Sequence, residues 1–161
     1  KHRRADATLK LVGPDGRPGE PRLVAGGVDE SIFQPEWSPE GILHFASDRS
    51  GWWNLYRLVD GSPQPVATVA GDVGGPQWVF RPRRYAFLDD GSIGAVYSGP
   101  TGASLLVHGA DGTTRALPTP GTWMSSLVSD GRSLYLVAAS ATSPYAVVRV
   151  NAATGENSRA P

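Results

Sequence analysis

Gln34-Pro35-Glu36-Trp37-Ser38-Pro39-Glu40-Gly41-Ile42-Leu43-His44-Phe45-Ala46 is the stretch that decides the fold. A short strand over 34–37 meets a Pro-Glu-Gly turn, and a second strand, 42–46, follows at once. Working outward, Ser47-Asp48-Arg49-Ser50-Gly51 is a polar hairpin loop. Asn54-Leu55-Tyr56-Arg57-Leu58 then alternates apolar and polar side chains, the mark of a half-buried strand. Asp60-Gly61 is a tight hairpin turn, and Pro65-Val66-Ala67 is expected as a short outer strand, where proline is tolerated near an edge. One unit therefore holds four antiparallel strands.

The unit repeats. Pro35-Glu36-Trp37 recurs 41 residues later as Pro76-Gln77-Trp78. Ser125-Ser126-Leu127-Val128-Ser129-Asp130-Gly131 echoes 37–41 with Leu127 in the place of Trp37, 49 residues beyond Trp78. A period of about 40–50 residues is that of propeller blades. The second unit reads as strands over 76–80 or a little beyond, 93–97, 104–108 and 115–117, with 81–88 enlarging its first strand or loop. The third reads as 126–128, 134–138, 146–150 and 157–160. Ahead of all three, 8–12, Asp15-Gly16 and 21–24 match only the third and fourth strands of a unit. The expected fold is all-β: a partial β-propeller with three complete four-stranded blades plus the outer half of another. One incomplete domain would span 1–161, divided into a half blade over 1–27 and blades over 28–70, 71–120 and 121–161. A β-sandwich is the competing all-β architecture, but it has no reason to reuse one turn at a fixed period.

Composition agrees. Gly 20 and Pro 14 exceed a fifth of the chain, which argues against long helices, while 40% hydrophobic residues can furnish a core. Fifteen basic and fifteen acidic residues cancel, so no global field favours nucleic acid or an acidic membrane, and neither is expected as a partner. No cysteine is present, which excludes disulfides, thiol nucleophiles and Cys-ligated metals. His2, His44 and His108 lack metal-ligand spacing, so neither a metal nor a cofactor is expected. His44, flanked by Leu43 and Phe45, reads as a polar face residue. No apolar run reaches the roughly 18–20 residues of a membrane span. Lys1-His2-Arg3-Arg4 leads into Ala-Asp-Ala-Thr and not into an apolar run, unlike a signal peptide, and no Met begins the chain. A processed piece or internal fragment is the expectation.

The run 34–41, together with Ser47-Asp48-Arg49-Ser50-Gly51-Trp52-Trp53-Asn54-Leu55-Tyr56, resembles the non-catalytic propeller of the prolyl oligopeptidase family of serine peptidases. Within it, the bacterial dipeptidyl aminopeptidase/acylaminoacyl peptidase branch is the nearest likeness, through Trp52-Trp53-Asn54, Gly74-Gly75-Pro76-Gln77-Trp78-Val79-Phe80 and Tyr85-Ala86-Phe87-Leu88. Trp-Ser-Pro-x-Gly with Ser-Asp-Arg-x-Gly is shared with TolB-like propellers. The resemblance implies a gating propeller whose partners are an α/β-hydrolase domain of the same parent chain and short peptides. The parent would then be a serine peptidase, expected in the cytoplasm. No catalytic residue can be carried over, because Gly-x-Ser-x-Gly is missing and Asp90-Gly91-Ser92-Ile93-Gly94 lacks its first glycine. A TolB-like binding or scaffold propeller without an enzymatic domain is the alternative.

Three residues are candidates for substrate binding. Asp29 and Glu30 form an acidic pair suited to a free α-amino group, against the plainer reading of a solvated loop. Arg49 could grip a peptide carboxylate; otherwise it packs on Trp52 or Trp53 while Asp48 caps the loop. Trp37 and Trp78 are expected in wedges between blades, with a stacking platform as the other role. Arg81, Arg83 and Arg84 read as a solvated loop or a contact to the hydrolase. A half blade leaves an open edge at 8–12 and apolar flanks, from which self-association is expected.

Overall fold

The computed structural model describes residues 7–9 (backbone only), 14–75 and 82–159. Within them the fold is a partial β-propeller. A two-stranded sheet pairs β1 (Ala7–Leu9) with β2 (Arg22–Ala25). Three four-stranded antiparallel meanders follow. The first is β3 (Ile32–Trp37), β4 (Leu43–Ser47), β5 (Asn54–Val59) and β6 (Ser62–Pro65). The second is β7 (Tyr85–Phe87), β8 (Ile93–Gly99), β9 (Gly102–His108) and β10 (Thr114–Leu117). The third is β11 (Trp123–Ser129), β12 (Ser133–Ser140), β13 (Ser143–Asn151) and β14 (Asn157–Arg159).

The register of the repeat differs from the sequence expectation. Trp37 pairs with Leu43, Phe87 with Ile93 and Ser129 with Leu134, each across the first hairpin of its sheet. Phe87 and Ser129, not Trp78 and Leu127, therefore occupy the place of Trp37. The turn glycines are Gly41, Gly91 and Gly131, with φ of 78°, 77° and 94°, a conformation that a side chain disfavours. Trp37, Phe87 and Ser129 are 50 and 42 residues apart, both within the expected period, while Gly131 follows Ser129 by two positions where Gly41 and Gly91 follow Trp37 and Phe87 by four. Trp78 and the expected strand over 76–80 lie outside the described residues, and the strand that pairs with β8 is Tyr85–Phe87, inside the stretch read as an enlargement. The outer strand expected at 65–67 lies earlier, at Ser62–Pro65. Asp60 and Gly61 both have positive φ and close a two-residue turn, so the next strand must begin immediately.

Sheets pack face to face along two seams. Phe33, Ala46 and Leu55 of the first meander meet Tyr85, Ile93, Ala95 and Tyr97 of the second. Val96, Leu105 and Val107 of the second meet Met124, Leu127, Leu134 and Leu136 of the third. Innermost strands are also tied directly. Gln34, at φ 46° in a bulge of β3, accepts the Arg84 N–H (2.6 Å) and donates to the Tyr85 carbonyl (2.8 Å) through its side-chain amide. Ser126, at the equivalent bulge of β11, has φ 57°, and the adjacent Leu127 N–H donates to the Arg83 carbonyl at 3.0 Å.

Trp37 does not fill a wedge. The residue is 54% exposed. It shares a sheet face with Leu43, the face covered by Val24 and Ala25 of the two-stranded sheet. Those two residues pack on Ile32, Leu43, Phe45 and Tyr56, and the tryptophan beyond them stays open. Trp37→Ala is accordingly expected to cost about 1 kcal/mol or less in thermal or urea unfolding, well below the roughly 3–5 kcal/mol of a buried tryptophan.

His108 is a fully buried imidazole. It is 1% exposed, with Nε2 3.0 Å from the Tyr97 hydroxyl and Nδ1 3.0 Å from Thr114 Oγ1. Burial depresses its pKa from 6.5 to about 4. The unfolded chain thus takes up this proton first as pH falls, so stability is complete above about pH 6.5 and declines toward pH 4. The loss expected from this group is about 3 kcal/mol, read from urea unfolding across that window, and His108→Gln should flatten that part of the slope.

Candidate functional site

Antiparallel meanders send alternate loops to opposite ends of the propeller. One end gathers the β2–β3 connection, the β4–β5 and β12–β13 hairpins, and the links between sheets. Asp29, Glu30 and Arg49 all lie there. Glu30 follows a tight turn in which the Gly27 N–H donates to the Glu30 carbonyl at 3.1 Å. That turn swings its carboxylate toward the β4–β5 loop, where Oε1 accepts from Ser47 Oγ (2.5 Å), Arg49 Nε (2.8 Å) and Arg49 Nη2 (2.6 Å). Oε2 accepts the Gly26 N–H at 3.1 Å. The Arg49 guanidinium lies 5.1 Å from the Tyr56 ring centroid, so it stacks on Tyr56 and not on Trp52 or Trp53. Asp48 completes the link between loops by accepting the Ser31 N–H at 2.8 Å. Asp29, by contrast, is exposed, and no hydrogen bond or ion pair among the described residues engages its carboxylate.

The structure thus brings Glu30 and Arg49 together and leaves Asp29 at the surface beside them. Partial burial raises the Glu30 pKa, but the bonds from Ser47, Arg49 and Gly26 outweigh it and hold the carboxyl below the ordinary value. The same end also exposes Trp52, in the β4–β5 loop, and, on the third meander, Trp123 and Tyr145. Trp123 and Tyr145 form an edge-to-face pair with centroids 5.1 Å apart. Sequence reading missed this pair because it began the first strand of the third meander at 126, three residues late; extending the alternation through Met124 would have reached Trp123.

The arginine cluster divides. Arg83 pairs with Glu36 at 3.0 Å. Arg84 is not solvated: Nη1 donates to the Met124 carbonyl (3.0 Å) and Nη2 to Ser98 Oγ (2.7 Å), joining the second meander to the third. Burial lowers its pKa, with Asp72 opposing that shift. Arg81 lies outside the described residues. Among the described residues no group of three His, Asp or Glu side chains could hold a metal ion, and no helix is long and apolar enough to cross a membrane.

Glu30→Gln should weaken the two-loop clasp by about 1 kcal/mol, a figure already reduced for its partial exposure. Because the folded-state pKa is the lower one, this stabilisation is present above about pH 4.5 and lost as pH falls further. Hydrogen exchange at Gly26 and Ser31 should accelerate in the variant, and unchanged protection there would exclude the clasp.

No family model and no curated protein matches the sequence. Solved structures do. A puromycin hydrolase is 33% identical over 94% of the chain with a TM-score of 0.85, and a Mycobacterium tuberculosis puromycin-hydrolyzing peptidase is 32% identical over 90% with a TM-score of 0.81. TolB from Acinetobacter baumannii matches 94% of the chain at 16% identity and a TM-score of 0.66, a likeness of fold alone. The chain spans 23%, 22% and 37% of those three structures, respectively. At that identity and coverage, and with the unit that carries Trp37-Ser38-Pro39-Glu40-Gly41 folded as a four-stranded blade, the chain is a propeller segment of the prolyl oligopeptidase family of peptidases.

Proposed function

We propose that this segment serves a serine peptidase of the dipeptidyl aminopeptidase/acylaminoacyl peptidase branch, admitting and selecting short peptides for an α/β-hydrolase domain of the same polypeptide. The observation that carries the reading is the 33% identity with a puromycin hydrolase over 94% of this chain. In this reading the propeller supplies selection and the hydrolase supplies the nucleophile. A propeller capping the cleft excludes folded proteins and lowers the local dielectric, which strengthens each electrostatic contact to a bound peptide.

The end bearing Asp29, Trp52, Trp123 and Tyr145 is the one suited to face that cleft. An exposed carboxylate on an end that also exposes aromatic rings suits a free α-amino group followed by apolar side chains. Asp29 is the residue we assign to the ammonium, while Glu30 and Arg49, bonded to each other, hold its loop and add their paired field. The parent is expected to work in the cytoplasm. The isolated chain would self-associate through the open edge expected at 8–12, with the apolar flank of the third meander, where Val128 and Val147 are exposed, as a further surface.

A TolB-like scaffold role is the second reading, supported by the shared fold with Acinetobacter TolB. Labelling separates the two. The parent polypeptide should react with a serine-directed fluorophosphonate and cleave chromogenic aminoacyl or dipeptidyl substrates, whereas the 161-residue chain alone should do neither. Asp29→Asn in the active parent should raise KM roughly tenfold for substrates with a free amino group and leave N-acylated ones unchanged. A parent that is neither labelled nor hydrolytic would favour the scaffold.

A further inference from the structure

The two seams between meanders are built on one plan, and only one of them is sealed at the end opposite Asp29. In the seam between the second and third meanders, the Asp89 N–H donates to the Gly131 carbonyl at 2.8 Å. Just above that bond, Gly94 lies so close to Leu134 that an added Cβ would stand 2.6 Å from its methyl carbons. Val107, the partner of Gly94 across the β8–β9 ladder, is buried in the same seam.

The seam between the first and second meanders changes all three positions. Counting from the matched pairs Trp37–Leu43 and Phe87–Ile93, Pro39 stands where Asp89 stands and His44 where Gly94 stands. Arg57, paired with His44, replaces Val107. Proline has no N–H, so the counterpart of that sealing bond cannot form here. A cavity of about 230 Å³ opens in its place, walled by Ile42, Val66, Phe87, Leu88 and Ile93, with Glu40, His44 and Arg57 on its polar side.

Those polar groups are available. His44 Nδ1 donates to the Ile42 carbonyl at 3.0 Å, and its ring lies edge-on to Phe87. Nδ1 thereby carries the proton and Nε2 offers a lone pair, which no bond among the described residues occupies. Burial pushes the imidazole pKa down, so it stays neutral at pH 7. Arg57 is exposed and has no ion pair with a carboxylate among the described residues. Glu40 is held ionised by its bond to Ser38. His108 closes the back wall with both ring nitrogens already engaged.

We propose that this seam is a binding site for a free apolar or aromatic amino acid. Arg57 takes the carboxylate, Glu40 and His44 Nε2 take the ammonium, and the side chain lies on Ile42, Phe87 and Leu88. The assignment stands on the seam itself and does not depend on peptidase activity.

Calorimetric titration of the 161-residue chain with L-phenylalanine and L-leucine tests it, with L-phenylalaninamide and 3-phenylpropionate removing one charge each. The amino acids should bind saturably below ~10 mM, and each one-charge analogue should bind at least roughly tenfold more weakly. Arg57→Gln, on an exposed side chain, should weaken L-phenylalanine to a similar degree with an unchanged melting temperature. Pro39→Asp, which restores the sealing N–H, should abolish binding. No saturable binding of either amino acid would overturn the proposal. So would equal affinity for 3-phenylpropionate, or full affinity in Arg57→Gln.

Discussion

Tyr85 is the residue on which the joining of the first two meanders depends. Its ring is fully buried in the seam between them, and its hydroxyl donates to the Gln34 carbonyl at 2.6 Å with the His44 carbonyl at 3.1 Å. Burial drives the phenol pKa far above its ordinary value, so this donor never ionises in working conditions. Both acceptors are main-chain atoms of the neighbouring sheet, and a buried carbonyl left without a donor would cost about 1–3 kcal/mol. The bulge at Gln34 presents one of those carbonyls, which accounts for a non-glycine residue at φ 46°. The bulge at one position thus supplies the groups that bond one sheet to the next.

That constraint explains what could be read from the residues and what could not. Alternation in 54–58 and Gly-containing turns identify strands because both are local properties, set by the period of two and by positive φ. Blade alignment is not local. It depends on which side chain crosses the seam, and Trp37 misled because tryptophan is the residue expected to fill a wedge. The markers in the backbone were less conspicuous: the bulge residues Gln34 and Ser126, both at positive φ, each stand three positions before Trp37 and Ser129. Asp60-Gly61 carried enough information to place the outer strand at 62, since a two-residue turn leaves no slack.

The candidate site was legible in kind but not in arrangement. Glu30 and Arg49 are 19 residues apart in sequence, and nothing local announces that the turn at Gly27 aims one at the other. Arg84 shows the same limit from the other side. Three arginines within four positions look like one basic patch, yet one pairs with Glu36 while another is drawn between sheets to main-chain and hydroxyl acceptors. Charge counted along a chain carries no information about which charges are desolvated.

A repeat architecture separates fold from function at the level of single positions. The backbone of each meander is held by ladder bonds and turn glycines, which tolerate most side-chain changes on the seam faces. In the seam between the first two meanders Pro39, His44 and Arg57 change together, and β3 and β4 keep their ladder pairing beside the cavity. Exchanging Gly94 and Val107 for His44 and Arg57 then converts apolar contact surface into hydrogen-bonding surface at no cost to the strands themselves. The opposite end obeys the same logic: Asp29 projects from a loop whose geometry Glu30, Asp48 and Arg49 already secure, so its carboxylate is not needed for stability. Where neighbours satisfy the backbone and the close ion pairs, the remaining charged side chains are the ones left to meet a ligand.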